Sequence, residues 1–245
     1  MASARVVLVT GGTRNIGLSI VNRFVGHGDV VIALARSASS IPGAADCLAC
    51  DVREPDQVVD TLAVVHERFG RLDVVVNNAG GTQRVAADAA SPRFNQRIVE
   101  LNLLAPMHMA QVANGYMQQQ EGGGVIVNIG SVSGLRPSPD TAAYGAAKAG
   151  LLNVTKTFAM EWAPKVRVNM VTAGLVATDD VAGFYGEGEA LARVHATVPL
   201  GRMADPDEVA SAVFAMAGPD FAHASGTNVV IDGGGERPPY LGAGQ

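Results

Sequence analysis

The sequence has few of the residues that build metal or disulfide sites. It contains two cysteines and five histidines among 245 residues, and the histidines are scattered without the paired spacing of a zinc site. Cys47 and Cys50 form a CxxC pair, but a short strand is predicted around them, and residues three apart in a strand point to opposite faces. We therefore expect two buried structural thiols and no metal.

Long hydrophobic runs and an excess of basic residues are also lacking. Apolar runs such as VVIALA at 30–35 are far shorter than the roughly 20 residues that a membrane-spanning helix needs. The formal net charge of −5 argues against nucleic acid or an acidic membrane surface as the main partner. A strand is predicted directly after the opening MASAR, which leaves no room for a signal peptide. We expect a cytoplasmic protein with no nucleic-acid or membrane partner.

What the sequence does contain is an alternation of short apolar runs with longer stretches of helical periodicity. The runs are continuous, as in strands that are buried on both faces of a parallel sheet. Pro55, Pro92 and Pro206 suit first turns of helices, and Ser91 and Asp205 precede two of them as N-caps. The predicted strands are 5–10, 29–35, 47–52, 72–78, 124–130, 166–172 and 228–233. This order predicts one α/β domain over all 245 residues, with a Rossmann-like, doubly wound, mostly parallel seven-stranded sheet and helices on both faces.

Two segments fall outside the alternation. Residues 36–46 contain Pro42 and Gly43, so a loop rather than a helix is predicted between the second and third strands. Residues 234–245 are rich in glycine and proline, which predicts an irregular tail.

The stretch TGGTRNIG, residues 10–17, follows the first strand and opens a predicted helix. In a doubly wound sheet, phosphates bind where the carboxyl end of this strand meets the helix N-terminus. Gly11, Gly12 and Gly17 allow a tight turn and a close approach of the backbone to a pyrophosphate. Asn15 stands where a glycine is expected, and asparagine readily adopts the left-handed conformation. The turn predicts a dinucleotide site.

This turn is the first of several motifs that resemble the short-chain dehydrogenase/reductase family. TGGTRNIG resembles the family's TGxxxGxG motif, and the resemblance runs from residue 6 to residue 234. It implies a Rossmann-like fold and a nicotinamide-dependent oxidoreductase. A departure is Ala173-Gly174, where the family usually has Pro-Gly, and it implies a looser segment. The later motifs are NNAG at 77–80, LNLLAP at 101–106, IGSVSG at 129–134, YGAAKAG at 144–150 and two closing segments, 201–218 and 229–234.

The resemblance also implies which residues bind the cofactor. Asp51 and Val52 would contact the adenine, the NNAG segment would back the adenosine side, and Val176 and Thr178 would contact the nicotinamide carboxamide. The full set is Gly11, Thr13, Arg14, Asn15, Ile16, Gly17, Arg36, Asp51, Val52, Asn78, Ala79, Gly80, Tyr144, Lys148, Gly174, Val176 and Thr178.

The end of the second strand predicts which nicotinamide cofactor is used. Proteins that bind NAD usually hold the ribose 2′-OH with an acid at this point. Here the strand ends at Ala35-Arg36, and no acid follows until Asp46. A 2′-phosphate needs cationic donors, and Arg36 and Arg14 would converge on it from two sides. The prediction is NADP(H).

Tyr144 and Lys148 are four residues apart on a predicted helix over 141–163, so they share a face. A neighbouring ammonium would lower the pKa of the phenol, which predicts Tyr144 as the general acid/base for hydride transfer between a nicotinamide and a ketone or secondary alcohol. By the family resemblance, Ser131 would orient the substrate oxygen. Asn102 would hold a water for a proton relay through Lys148.

The loops at the carboxyl ends of the strands are expected to select the substrate. Residues 176–202 resemble a mobile lid, for which Phe184 and Tyr185 would supply apolar contacts. Arg84 and Arg136 lie in two other loops and are candidates for an anionic substrate, although a solvated arginine is the commoner case. The candidate hinges of the lid are Gly183, Gly186 and Gly188.

Two alternatives stay open. A 3-oxoacyl-carrier-protein reductase needs a basic rim for its acidic partner, whereas QQQEGGG at 118–124 offers no cation. A non-catalytic NADP(H)-binding regulatory protein would not need the Tyr144 set, but the departures at Asn15 and Ala173 keep it open. The family also implies a homodimer or homotetramer, assembled through the long helices predicted over 92–113 and 141–163.

Overall fold

The computed structural model describes residues 4–237. The strands are Val6–Thr10 (β1), Val30–Ala35 (β2), Asp46–Ala49 (β3), Val74–Asn77 (β4), Gly124–Ser131 (β5), Val166–Ala173 (β6) and Asn228–Ile231 (β7). The α-helices are Asn15–His27 (α1), Pro55–Phe69 (α2), Pro92–Val99 (α3), Ala105–Met117 (α4), Ala142–Glu161 (α5), Val181–Tyr185 (α6), Glu189–Thr197 (α7) and Pro206–Met216 (α8). Most of the predicted tail, from residue 238 onward, lies outside the described residues.

The seven strands form one sheet in the order β3-β2-β1-β4-β5-β6-β7, and every pairing is parallel. The chain runs from β1 to one edge, returns to β4 beside β1, and then continues to the other edge. Ligands of doubly wound sheets bind outside the carboxyl ends of the strands at such a reversal. The predicted fold class is confirmed.

The sheet separates two apolar layers, because successive side chains of a strand point to opposite faces. In β1, Leu8 belongs to the layer covered by α2, α4 and α5. Val7 and Val9 belong to the layer covered by α1 and α8. Cys47 and Cys50 lie in opposite layers as free, buried thiols, which confirms that they diverge.

Several element ends follow the predicted signals. Pro55, Pro92 and Pro206 occupy first turns of α2, α3 and α8. The hydroxyl of Ser91 accepts a hydrogen bond from the backbone of the third residue after it, and Asp205 forms a capping box at α8. Residues 36–45 contain no helix, as predicted. No helix within residues 4–237 is long and apolar enough to cross a membrane.

The single helix predicted over 92–113 is wrong. A π-helical turn, Glu100–Leu104, separates α3 from α4, which continues to Met117. Two features explain the interruption. Pro106 has no backbone N–H for the carbonyl of Asn102, and the Asn102 amide donates to the Ile98 carbonyl at 2.9 Å, which competes with the regular backbone bond.

Candidate active site

Apart from Tyr144 and Lys148 on α5, the predicted cofactor residues follow five of the parallel strands, so they gather along one edge of the sheet. Residues 11–17 follow β1, Arg36 follows β2, residues 51–52 follow β3, residues 78–80 follow β4, and residues 174–178 follow β6. The third strand is shorter than predicted and ends at Ala49, which leaves Asp51 and Val52 in the loop beyond it. This edge is the ligand crevice of a doubly wound sheet.

The turn between β1 and α1 is shaped for a pyrophosphate. Gly11 has φ of 64° and Asn15 has φ of 49°, so the asparagine adopts the left-handed conformation that its position requires. A Cβ atom on Gly17 would lie 2.0 Å from the Gly11 carbonyl oxygen, which excludes every larger residue. The start of α1 has no side-chain cap, so its first N–H groups remain for an anionic ligand. The residues therefore fit a dinucleotide phosphate.

Hydrogen bonds of Thr10 and Asn78 stabilise this turn. The Asn78 side-chain amide donates to the carbonyls of Thr10 (2.9 Å) and Gly11 (3.2 Å). The Thr10 hydroxyl accepts from the N–H groups of Asn78 (3.0 Å) and Ala79 (2.9 Å). The loop after β4 and the glycine turn are thus one hydrogen-bonded unit. Sequence reasoning missed Thr10, whose position at the end of β1 was the only signal.

The glycine turn also contacts the predicted lid, 176–202. The side-chain oxygen of Asn15 accepts from the N–H of Asp179 at 3.1 Å, and Arg14 lies 3.8 Å from the Asp180 carboxylate. Neither aspartate was identified from the sequence, because the contact joins segments that are far apart in the chain. The lid itself contains α6 and α7, with Gly186 and Gly188 at positive φ between them.

On the adenosine side, the charges differ from those of a typical NAD site. Arg36 is exposed beyond the end of β2. The next acid in the chain is Asp46, which pairs in register with Ile32 of β2. Ile32 lies three residues before the end of β2, which is about 10 Å at the usual rise per residue. Asp46 also pairs with Arg68, so it is turned away from a ribose at this edge.

Asp51, predicted to contact adenine, is held by an arginine that the sequence analysis missed. The Arg53 guanidinium donates to both Asp51 carboxylate oxygens, at 3.0 and 2.5 Å. This hydrogen-bonded pair lowers the pKa of Asp51, and the charge of Arg36 lowers it slightly further. Arg53 lies two residues after Asp51, but this spacing alone does not predict an ion pair between the two side chains.

Tyr144, Ser131 and Lys148 lie close together where β5 ends and α5 begins. Tyr144 is hydrogen-bonded to Ser131, and the Lys148 ammonium lies 5.7 Å from the centre of the tyrosine ring. Lys148 is only 5% exposed, and its Nζ donates to the Ile129 carbonyl at 2.8 Å. Burial lowers the pKa of Lys148 to about 8, so this side chain still carries its charge at neutral pH.

The expected lowering of the Tyr144 pKa is wrong. Burial raises the pKa of Tyr144, the hydrogen bond from Ser131 opposes that rise, and Tyr185 of the lid adds to it. Desolvation of the phenolate raises the pKa of Tyr144 by more than the neighbouring lysine can lower it, because the Lys148 ammonium donates its hydrogen bond to the Ile129 carbonyl. Tyr144 is therefore a protonated phenol at neutral pH, which is the form that donates a proton.

Asn102 lies behind this group in the π-helical turn and is fully buried. Its amide donates to the Gly81 carbonyl at 3.0 Å, and its oxygen accepts from the Gly81 N–H at 2.9 Å. A Cβ on Gly80 would lie 2.8 Å from the Asn102 oxygen and 3.3 Å from the Lys148 ammonium. Asn102 thus fixes the loop after β4 beside Lys148, and the water that it was predicted to hold stays a prediction.

A cleft of about 350 Å³ opens next to Tyr144. Its wall is formed by the loop after β4, the start of α3 and the start of α5. A backbone hydrogen bond of 2.8 Å from Val85 to the Asp140 carbonyl joins two of these segments. The lining residues are Thr82, Val85, Ala87, Ala90, Phe94, Asn95, Asp140, Thr141, Ala142, Ala143, Tyr144 and Ala146. Most of them are small or apolar, so the cleft suits a compact organic substrate.

The fold and this crevice define a class of dinucleotide-binding α/β oxidoreductases. A family model described as "Enoyl-(Acyl carrier protein) reductase" matches residues 11–236. Together with its relatives, this match shows that the chain belongs to the short-chain dehydrogenase/reductase family, an assignment that supports dehydrogenase or reductase activity.

The similar proteins include both short and longer chains. The chain is 33% identical over 247 aligned residues to the 3-oxoacyl-[acyl-carrier-protein] reductase FabG of Thermotoga maritima, covering 94% of this chain and 97% of that protein. It is 37% identical to the uncharacterized short-chain type dehydrogenase/reductase y4vI of Sinorhizobium fredii, covering 94% of this chain but 43% of that longer protein. The ligand-free aldohexose dehydrogenase of Thermoplasma acidophilum superimposes with a TM-score of 0.87 at 31% identity, covering 94% of this chain and 93% of that one.

Proposed function

We propose that the protein is an NADPH-dependent oxidoreductase that transfers hydride between the nicotinamide and a ketone or secondary alcohol. The observation that carries the proposal is the cluster of Ser131, Tyr144 and the buried ammonium of Lys148, which lies 5.7 Å from the centre of the Tyr144 ring. These groups share one crevice with a glycine turn that fits a dinucleotide phosphate.

Each residue has a role that its surroundings support. A reduced nicotinamide, when bound, supplies the hydride. Ser131 holds the substrate oxygen, and Tyr144 donates its phenolic proton to that oxygen as negative charge develops on it. Lys148 then stabilises the phenolate through its positive charge. Asn102 keeps the loop after β4 at the distance from Lys148 that this arrangement needs.

The preference for NADPH rests on Arg14 and Arg36. Both guanidinium groups are exposed, Arg14 in the glycine turn and Arg36 beyond the end of β2, and a 2′-phosphate is the ligand group that would engage them. Arg14 has to give up Asp180 to do so, but an exposed ion pair at 3.8 Å contributes little stability. NADP(H), in oxidised or reduced form, is thus the proposed cofactor. The proposed location of the protein is the cytoplasm.

We also propose a homodimer or homotetramer. Leu104 and Met160 are 39% and 84% exposed, and they lie beside α4 and on α5, the helices expected to pair between copies. Light scattering across a concentration series would measure the assembly, and a strict monomer would contradict this part of the proposal.

The test measures the consumption of NADPH or NADH in the presence of each member of a substrate panel. The panel contains ketones, aldehydes, quinones, 3-oxoacyl thioesters and 2-enoyl thioesters. We expect turnover of at least one carbonyl compound with NADPH preferred over NADH. Turnover only with carrier-bound 3-oxoacyl groups would establish the carrier-protein alternative. Tight NADPH binding without turnover of any compound would contradict the proposal and favour a regulatory cofactor-binding protein.

A further inference from the structure

Arg84 lies at the mouth of the site in an unusual setting. Its guanidinium carbon is 5.4 Å from the ring centre of Tyr185 and 6.0 Å from that of Phe184, both on α6 of the lid. Among the described residues, no carboxylate lies within ion-pair distance of Arg84. The arginine therefore joins the loop after β4 to the lid through aromatic contacts and makes no ion pair within residues 4–237.

This charge is close to the reacting group. Arg84 precedes Val85, whose N–H binds the Asp140 carbonyl in the wall of the cleft beside Tyr144. Tyr185, which the guanidinium covers, also interacts with Tyr144. Arg84 is thus connected to the predicted acid Tyr144 in two ways, through Tyr185 of the lid and through the loop that lines the cleft.

A guanidinium stacked on aromatic rings can bind an anion at the same time. The rings attract the face of the group, whereas the N–H donors project in its plane and match a carboxylate with two parallel bonds. The other cation at this opening, Arg136, is already paired with Glu236. A single available positive charge suits a substrate with one negative charge rather than a phosphate dianion.

We propose that the substrate of this site carries a carboxylate, which the in-plane donors of Arg84 bind at the mouth of the cleft. The substrate class is then oxo acids and the matching hydroxy acids of modest size. This inference rests on the proposed function for its reaction, but the recognition of the anion does not depend on turnover.

The test compares each acid with its uncharged methyl ester. Pyruvate, acetoacetate, 4-oxopentanoate and benzoylformate are assayed with NADPH beside their esters. We expect kcat/KM for the best acid to exceed that of its ester by about 10-fold or more, since a hydrogen-bonded charge pair commonly has an effect of this size. Arg84→Gln should raise KM for the acid by about 10- to 100-fold with little change in kcat, and leave the ester unchanged.

Two further variants separate charge from lid structure. Arg84→Lys keeps a cation over the rings but not the planar fork, so an intermediate loss is expected. Arg23→Gln is the control, because Arg23 covers one aromatic ring, at 5.4 Å from Phe214, in the apolar layer of α1 and α8. It should leave the acid-to-ester ratio unchanged.

A binding measurement keeps the inference independent of the reaction. Benzoate and benzamide are titrated calorimetrically into the protein with and without NADPH. Tighter binding of benzoate that disappears in Arg84→Gln would support the anion site even if no carbonyl compound were reduced, in which case the proposed function alone fails. Equal binding of the two probes together with Tyr144-dependent turnover of neutral ketones would overturn the inference and leave the proposed function standing.

Discussion

The side-chain oxygen of Asn15 accepts a hydrogen bond from the backbone N–H of Asp179 at 3.1 Å. Asn15 is the residue that departs from the glycine expected in the phosphate-binding turn, and Asp179 belongs to the lid. A glycine could adopt the same backbone conformation but could not make this bond. The departure therefore gives the turn a contact with the lid that the usual motif lacks.

This contact predicts how the lid responds to Asn15→Gly. Loss of one hydrogen bond of about 1 kcal/mol should speed hydrogen exchange around residues 176–186 by roughly 5-fold in the ligand-free protein. Global stability should change little, because glycine also relieves the positive φ of position 15. Asn15→Asp keeps the acceptor and is the control. Unchanged exchange in the glycine variant would contradict the coupling.

Gly17→Ala should damage the glycine turn severely. The added Cβ would lie 2.0 Å from the Gly11 carbonyl oxygen, and relief of such a clash costs about 1–3 kcal/mol or more. We expect a lower melting temperature and loss of NADPH binding. Gly26→Ala in the same helix meets no atom within 4 Å and should stabilise the protein by about 0.5–1 kcal/mol. Equal melting temperatures for the two variants would contradict the predicted clash at Gly17.

Tyr144→Phe should abolish the proton transfer without disturbing the cofactor. A positioned general acid contributes about 10²- to 10⁴-fold to rate, so kcat for ketone reduction should fall by at least the lower value. The Kd of NADPH, followed by its fluorescence, should stay within roughly 3-fold. Tyr116→Phe, where the ring stacks on His66, should retain full activity. Persistent turnover without the Tyr144 hydroxyl would rule out the proposed role.

The pKa of Lys148 predicts the pH profile of reduction. The charged form of Lys148 stabilises the phenolate formed on Tyr144, and burial lowers its pKa to about 8. Because the ammonium loses its proton as pH rises, kcat/KM should be constant below this value and fall above it. Tyr144 stays protonated over this range because its pKa is raised. Lys148→Arg keeps the charge and should extend the plateau, at reduced activity. A wild-type plateau that continues to roughly pH 10, near the ordinary lysine value, would contradict the assignment.

Arg36→Asp should reverse the cofactor preference. The substitution removes one donor to a 2′-phosphate and offers a carboxylate to a ribose 2′-OH. We expect KM for NADPH to rise by about 10- to 100-fold, because charge-assisted bonds are lost, while KM for NADH falls. Arg193→Asp, at an exposed arginine of the lid, controls for the same two-unit change in net charge. Equal effects on both cofactors would place Arg36 outside the phosphate site.

Much of the fold could be predicted because its signals are local. The continuous apolar runs identify strands buried on both faces, and proline with Ser91 or Asp205 marks where helices begin. Such signals failed where a side chain replaces a backbone bond. The π-helical turn at Asn102 needs both the proline four residues later and a buried amide, and the burial of an amide is not visible in periodicity.

The candidate site divides in the same way. The glycine turn and the spacing of Tyr144 and Lys148 could be recognised in the sequence, since each is a short pattern that the local backbone makes necessary. The raised pKa of Tyr144 could not, because it depends on how deeply the whole fold buries the phenol and on where the Lys148 ammonium points.

By itself, the sequence determined the order of the strands, the left-handed turn at Asn15 and the four-residue interval that puts a phenol and an ammonium on one helix face. Only the tertiary structure decided which distant groups meet: Asn15 with Asp179, Arg53 with Asp51, and Arg84 with the aromatic rings of the lid. The physical reason is that backbone conformation responds to neighbours within a few residues, whereas charge, burial and ring contacts depend on the distances that packing sets between segments remote in the chain.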